Sequence, residues 1–161
     1  MISYTQKQIK GLLENLSKDT LRPALCNVYV DQESKNLVAT DGYTMVVLPI
    51  DLDKDLGKGD HYILRKSLED WTKLHKQKDT ISSDELVDMV STQDCRFPDY
   101  QYLLNMASKE NESSQIDLDL TLLHRFEKVM PKAKVSIVAS KALLTDINDS
   151  RIQGVICGLT R

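Results

Sequence analysis

Long apolar runs are missing from the 161-residue sequence. None approaches the roughly 18–20 residues that a bilayer-spanning helix needs. The N-terminal Met-Ile-Ser-Tyr-Thr-Gln-Lys has no basic stretch followed by an apolar one, so a secretory leader is not expected. Glycine and proline are sparse, at six and four residues, which excludes collagen-like and Pro-rich linker classes. Charge of one sign is not in excess: 21 Lys and Arg stand against 24 Asp and Glu, a net charge of −3. That balance argues against a protein gripping nucleic acid over its whole surface, but it allows one basic face on an acidic body. The three cysteines, Cys26, Cys95 and Cys157, are scattered and form no CxxC pair. An odd, dispersed set suits a reducing compartment, with each thiol acting as a small core hydrophobe. A compact, soluble, cytoplasmic protein is expected.

Catalytic signatures are absent as well. No GxxxxGK[ST], GxGxxG, HExxH, GxSxG or paired CxxC occurs. His61, His75 and His124 have no metal-ligand spacing. Gly57-Lys58-Gly59-Asp60 does not open a helix and reads as a solvated loop. Asp117 and Asp119 alternate along a strand candidate and read as a solvated face. Neither a catalytic centre, a metal site nor a cofactor is expected.

What is present is a recurring grammar. Ser3 to Ser17 reads as a helix with Ile9, Leu12, Leu13 and Leu16 on a buried stripe. Leu21 to Ile50 switches to short β-type runs, broken by the polar turn Asp31–Asn36 and the hairpin turn Asp41-Gly42. A charged connector, Asp51–Asp60, follows. Next come a strand at Tyr62–Leu64 and a helix from Lys66 to Lys76 with Leu68, Trp71, Leu74 and His75 on one face. Strand candidates lie at Thr80–Ser82 and Leu86–Val90. Phe97-Pro98-Asp99-Tyr100 must turn or follow an edge, because Pro98 fixes φ and lacks a donor. Ala107–Ser114 is linker-like. Then Ile116–Leu118 reads as strand and Leu120–Met130 as helix, with Leu122, Leu123, Phe126, Val129 and Met130 inward. Lys134–Ala139, Ala142–Ile147 and Ile152–Leu159 read as strands. A unit of strand, helix and three strands thus occurs at least twice, around a compressed middle copy. Helices covering one face of antiparallel sheets make an α+β fold.

Three segments carry a resemblance. Leu21-Arg22-Pro23-Ala24-Leu25-Cys26-Asn27-Val28, followed by Leu37-Val38-Ala39-Thr40-Asp41-Gly42-Tyr43-Thr44-Met45, resembles the pattern RP.L.GV…L.ATDGHRL of the bacterial DNA sliding clamp, the β subunit of DNA polymerase III. Tyr62-Ile63-Leu64-Arg65-Lys66-Ser67-Leu68 and Phe97-Pro98-Asp99-Tyr100 are similar to that family's RKsL helix start and FPDY connector. Residues 116–161 resemble the closing half of its last domain. Tyr43-Thr44 stands where the family has His-Arg, and the ending Cys157–Arg161 where it has Met-Pro-Met-Arg-Leu. The pattern suits a shortened or divergent clamp: residues 1–106 form a clamp-like domain of two half-units (1–50 and 61–100), and 115–161 form a C-terminal half-unit.

The resemblance implies a non-enzymatic processivity factor of DNA replication that holds duplex DNA without reading its sequence. It implies helices on an inner wall, whose off-stripe Lys7, Lys10, Lys73, Lys76, Arg125 and Lys128, with Arg22 from a loop, meet phosphates. It implies a groove for peptides of DNA polymerase and other partners, at Leu25, Thr40, Gly42, Tyr43, Thr44, Met45, Pro98, Leu103, Val155 and Cys157. A homo-oligomer follows from the same likeness. Two other readings stay open: a clamp-derived adaptor that binds replication proteins without encircling DNA, and a small enzyme on an α+β fold.

Overall fold

The computed structural model describes residues 2–76, 79–108, 119–138 and 141–158. Strand β1 (Ser3–Thr5) leads into helix α1 (Gln6–Glu14). The sequence reading extended this helix back to Ser3. Thr5 stops it there: its hydroxyl accepts from the Gln8 N–H, while the Gln8 side chain accepts from the Thr5 N–H. That frees Ser3–Thr5 to pair with β6 (Thr80–Ser82), burying Tyr4 between two exposed neighbours.

A 3-10 turn at Pro23–Cys26 places Leu25, and β2 (Val28–Asp31), β3 (Asn36–Thr40) and β4 (Thr44–Pro49) form the expected meander. β5 (His61–Ile63) precedes α2 (Arg65–Leu74). Leu68 and Trp71 are buried as read, but Leu74 is 81% exposed and His75 stacks on Trp71 with ring centroids 4.7 Å apart. The strand expected at Leu86–Val90 is instead helix α3 (Ser83–Val87), followed by β7 (Val90–Thr92). The reciprocal capping box of Ser82 and Glu85 starts that helix. Helix α4 (Tyr100–Ser108) follows the FPDY bend. Helix α5 (Leu120–Glu127) and strands β8 (Ala133–Val138), β9 (Lys141–Asp146) and β10 (Gln153–Cys157) close the chain. The strand read at Ile116–Leu118, Asp117 included, lies outside the described residues. Asp119 caps α5, its carboxylate accepting the Thr121 N–H.

Eight strands make one antiparallel sheet in the order β7-β5-β2-β3-β4-β10-β9-β8. Strand alternation divides its side chains between two cores. Val28, Val30, Leu37, Ala39, Val46, Leu48, Ile63, Ala142, Leu144 and Ile156 face Ile9 and Leu12 of α1, Leu68 and Trp71 of α2, and Phe126 of α5. Val38, Met45, Val47, Tyr62, Leu143 and Val155 face the other way, against Leu25, Phe97, Tyr100 and Leu103. Helices α1, α2 and α5 thus cover one face as expected, while α4 departs from that pattern and covers the opposite face with the FPDY segment. β4 and β10 join the halves, with Met45 opposite Val155 and Thr44 opposite Ile156.

Two glycines let α5 settle. A Cβ on Gly154 would lie 2.7 Å from Phe126 Cδ1 and closer still to Cε1. A Cβ on Gly11 would overlap Val129 Cγ2.

Candidate functional site: an apolar cavity and a charged helix row

On the face away from α1, α2 and α5, β4 and β10 contribute Thr44, Met45, Val155 and Cys157 to the floor of a cavity of about 90 Å³. Leu25 closes it from the 3-10 turn, and Thr40, Gly42 and Tyr43 from the β3–β4 turn. Pro98 and Leu103 close it from the connector. All ten residues read as a groove meet at this one place, although they span positions 25 to 157. Two more line it, Phe97 and Tyr100. The exposed lining is almost wholly apolar, and Tyr43, 68% exposed, stands at its mouth.

Each part is held in place by identifiable chemistry. In the β3–β4 turn, Asp41 Oδ1 accepts the N–H of Tyr43 at 2.9 Å and of Thr44 at 2.8 Å. Thr40 Oγ1 donates to the Thr44 carbonyl at 2.6 Å and accepts the Gly42 N–H at 3.1 Å. Gly42 carries φ +94°, a conformation that a residue with a Cβ rarely adopts. From the other side of the sheet, Arg125 of α5 forms an ion pair with Asp41 and donates to Thr44 Oγ1 at 3.2 Å. Burial pushes the Asp41 carboxyl upward, but the Thr44 N–H, Arg125 and the Tyr43 N–H outweigh it and hold its pKa below the usual carboxylate value. Cys157 N–H donates to the Tyr43 carbonyl at 3.0 Å, which ties the tail strand to the turn.

The FPDY segment divides its tasks residue by residue. Phe97 stacks on Tyr29, with centroids 4.4 Å apart, and its N–H donates to Asp60 Oδ2 at 2.9 Å. Pro98 faces the cavity. Asp99 accepts the Tyr102 N–H at 3.0 Å, within the first turn of α4. The buried Tyr100 hydroxyl donates to Asp31 Oδ2 at 2.7 Å, and burial pushes its pKa up to about 12. Tyr62 donates to the Cys95 carbonyl at 3.0 Å. An aromatic cluster thus fastens the connector to the sheet.

The candidate phosphate contacts are distributed differently. Helix α1 packs against both α2 and α5, so Lys7, Lys10, Lys73, Arg125 and Lys128 belong to one helix-covered face, with Lys76 just past α2. A groove of about 890 Å³ on this face is lined by Lys10, Arg125 and Lys128, and by Lys18 and Arg65, which the sequence reading did not single out. Carboxylates balance these cations: Arg125 pairs with Asp41, Lys128 with Glu14, and Lys73 with Asp70 at 3.6 Å. Lys10 donates to Gln6 Oε1 at 3.0 Å. Lys7 and Lys76 are exposed. Arg22 lies apart from the helix row, beside Gly42, and pairs with Asp19 at 3.7 Å. Among the described residues, no group of three His, Cys, Asp or Glu could hold a metal ion, and no helix is long and apolar enough to cross a membrane.

No family model matches the sequence, and no curated protein does. Solved structures do. The DNA polymerase sliding clamp of Bacillus subtilis is 15% identical with a TM-score of 0.62, covering 99% of this chain and 64% of that one. The β subunit of DNA polymerase from Streptococcus pyogenes is 14% identical with a TM-score of 0.62, covering 99% and 66%. The Bartonella birtlesii sliding clamp, solved bound to griselimycin, is 15% identical with a TM-score of 0.60, covering 99% and 66%. The chain therefore has the sliding-clamp fold, of α+β class, over just under two thirds of the length of those clamps.

Proposed function

We propose that this protein is a non-catalytic, clamp-like processivity factor of DNA replication that acts in the cytoplasm. One observation carries the reading: ten residues scattered over the sequence converge on a single apolar cavity, in a fold shared with sliding clamps. The cavity is the docking site for the apolar anchors of a short peptide from a DNA polymerase or another replication protein. Its hydrogen-bonded turn suits this, because a preformed groove spares the cost of ordering on binding. The helix row faces duplex DNA and meets phosphates through Lys7, Lys10, Lys73, Lys76, Arg125 and Lys128, while Arg22 reaches DNA from the loop side. Residues 1–106 form the clamp-like domain and 115–161 a C-terminal half-unit packed with it as one unit, a packing supported by the β4–β10 ladder. Encircling DNA requires several copies, hence a homo-oligomer.

Titration of labelled duplexes of two unrelated sequences, at several salt concentrations, tests the DNA side. Equal affinities that fall steeply with salt are expected. Joint change of Lys73, Lys76, Arg125 and Lys128 to Glu should abolish binding. Absence of binding at low salt removes the DNA role.

A second reading has its own support. Arg125, Lys128 and Lys73 already face carboxylates. Phosphates would have to displace these partners, so an adaptor that docks replication proteins without holding DNA is the alternative. The same titration separates the two.

A further inference from the structure

The groove on the helix-covered face and the apolar cavity on the opposite face share a wall, the β3–β4 turn. Asp41 and Tyr43 line the groove of about 890 Å³, together with Arg125. Thr40, Gly42, Tyr43 and Thr44 line the cavity. Tyr43 borders both, so a shift of this turn is felt in both places.

The same turn joins the helix row to the cavity through charge. Asp41 divides its carboxylate between them. Its Oδ1 holds the turn, accepting the N–H groups of Tyr43 and Thr44 and, at 3.2 Å, the Thr44 hydroxyl. Its Oδ2 holds Arg125. Arg125 closes the triangle by donating to Thr44 Oγ1. Thr44 is buried and lines the cavity, which leaves the guanidinium on one face of the sheet a single hydrogen bond from the cavity floor on the other.

The two partners differ in access. The Arg125 side chain is 32% exposed and that of Asp41 only 15%. A phosphate entering the groove therefore meets the guanidinium first, and the planar fork suits phosphate as it suits carboxylate. Lys10 and Lys128 line the same groove and add to its attraction for a polyanion. Asp41 cannot follow Arg125 outward, because its other oxygen is fastened to the turn. Once Arg125 turns to a phosphate, Asp41 keeps its charge with one donor fewer, and Thr44 Oγ1 loses a donor too. A turn held less firmly fixes Tyr43 and the floor less firmly, and a groove that must be ordered on binding loses affinity.

We propose that Arg125 is a positioning residue for the peptide cavity, and that duplex DNA on the helix face weakens peptide docking by drawing Arg125 off Asp41. This coupling rests on both halves of the function proposed above. Linkage makes it reciprocal: a docked peptide weakens duplex binding by the same factor. Both can still be held together, but each peptide stays for a shorter time, so partners exchange more readily on DNA.

Fluorescence anisotropy of a labelled clamp-binding peptide, titrated with the full chain at low salt, provides the test. Each titration is run without duplex and with unlabelled duplex at a concentration that saturates the protein used. Saturating duplex should weaken peptide binding to wild type by about fivefold or more. Arg125→Ala should bind the peptide more weakly without DNA and show no further loss when duplex is added. Asp41→Asn should also lose the DNA dependence, yet bind duplex more tightly than wild type, because Arg125 is freed. Both variants should keep the wild-type circular dichroism spectrum. A merely structural role for Arg125 would lower peptide affinity without touching its dependence on DNA. Peptide affinity that is the same with and without bound duplex in wild type, or a dependence undiminished in Arg125→Ala, would overturn the coupling and leave the proposed function standing. A duplex that does not bind removes the coupling and the DNA role but leaves the cavity; a peptide that does not bind in the absence of DNA removes the cavity's role and the coupling with it.

Discussion

Gly154→Ala is the substitution whose cost follows most directly from the packing of α5 on the sheet. Ordinary contacts of a Cβ begin near 3.4 Å, whereas here the new atom would lie 2.7 Å from Phe126 Cδ1. The ring is buried beside Val129 and Met130, and Met130 Cε is itself 3.4 Å from the same point. Phe126 therefore has little room to retreat. Overpacking of this kind costs about 1–3 kcal/mol. Alanine returns about 0.4–1 kcal/mol by restricting the unfolded chain, since Gly154 needs no positive φ. The midpoints of these two ranges leave a net loss of about 1.3 kcal/mol, or roughly 3–5 °C in Tm for a chain of this size. Urea unfolding followed by circular dichroism reads it. Phe126→Leu should be less harmful in the Gly154→Ala background than alone, because the smaller side chain makes the room that the methyl needs. Stability equal to or above wild type for Gly154→Ala would refute the placement of Phe126 over Gly154.

Three further outcomes are expected. Tyr100→Phe removes the hydroxyl that donates to the Asp31 carboxylate and should cost about 1.5–3 kcal/mol in urea unfolding; no measurable change would contradict the anchoring of the connector. Asp41 is held below its usual pKa, so its stabilising contribution is complete above the unfolded-state value of about 3.9 and is lost as pH falls through the lower folded value. Thermal unfolding from pH 7 to 2.5 should therefore show a flatter acid limb for Asp41→Asn than for wild type, from a lower starting Tm at pH 7; parallel limbs would contradict it. Gly11→Ala should lower Tm, because its methyl meets Val129, and Val129→Ala in the same chain should recover part of the loss.

Much of the architecture was legible because strong local signals agreed with the packing. The short apolar runs of β2, β3 and β4, the hairpin turn at Asp41-Gly42 and the helical period of α2 and α5 each matched an element of the fold. Misreadings occurred where a short element borrowed its neighbour's pattern. Ser3–Thr5 merged into α1, and Leu86 and Val87 looked like strand, although the boxes Thr5-x-x-Gln8 and Ser82-x-x-Glu85 mark both boundaries. Leu74 fits the helical stripe, yet it falls at the last position of α2 and points to solvent. The cavity residues were legible through resemblance and not through periodicity. Phe97 and Tyr100 were seen only as a bend, because nothing local tells that they also face the groove. The pairing of Arg125 with Asp41 spans 84 positions, and that of Lys128 with Glu14 spans 114, so no local pattern could warn that these cations were already engaged.

The central claim is that the cavity between β4, β10 and the FPDY connector holds a peptide. Fluorescence anisotropy of a labelled clamp-binding peptide, titrated with wild-type protein and with Tyr43→Glu or Leu103→Glu, tests it most directly. The account predicts saturable binding to wild type and at least tenfold weaker binding to both variants, each retaining the wild-type circular dichroism spectrum. Peptide binding that is equal in all three proteins, or absent from wild type, would contradict it.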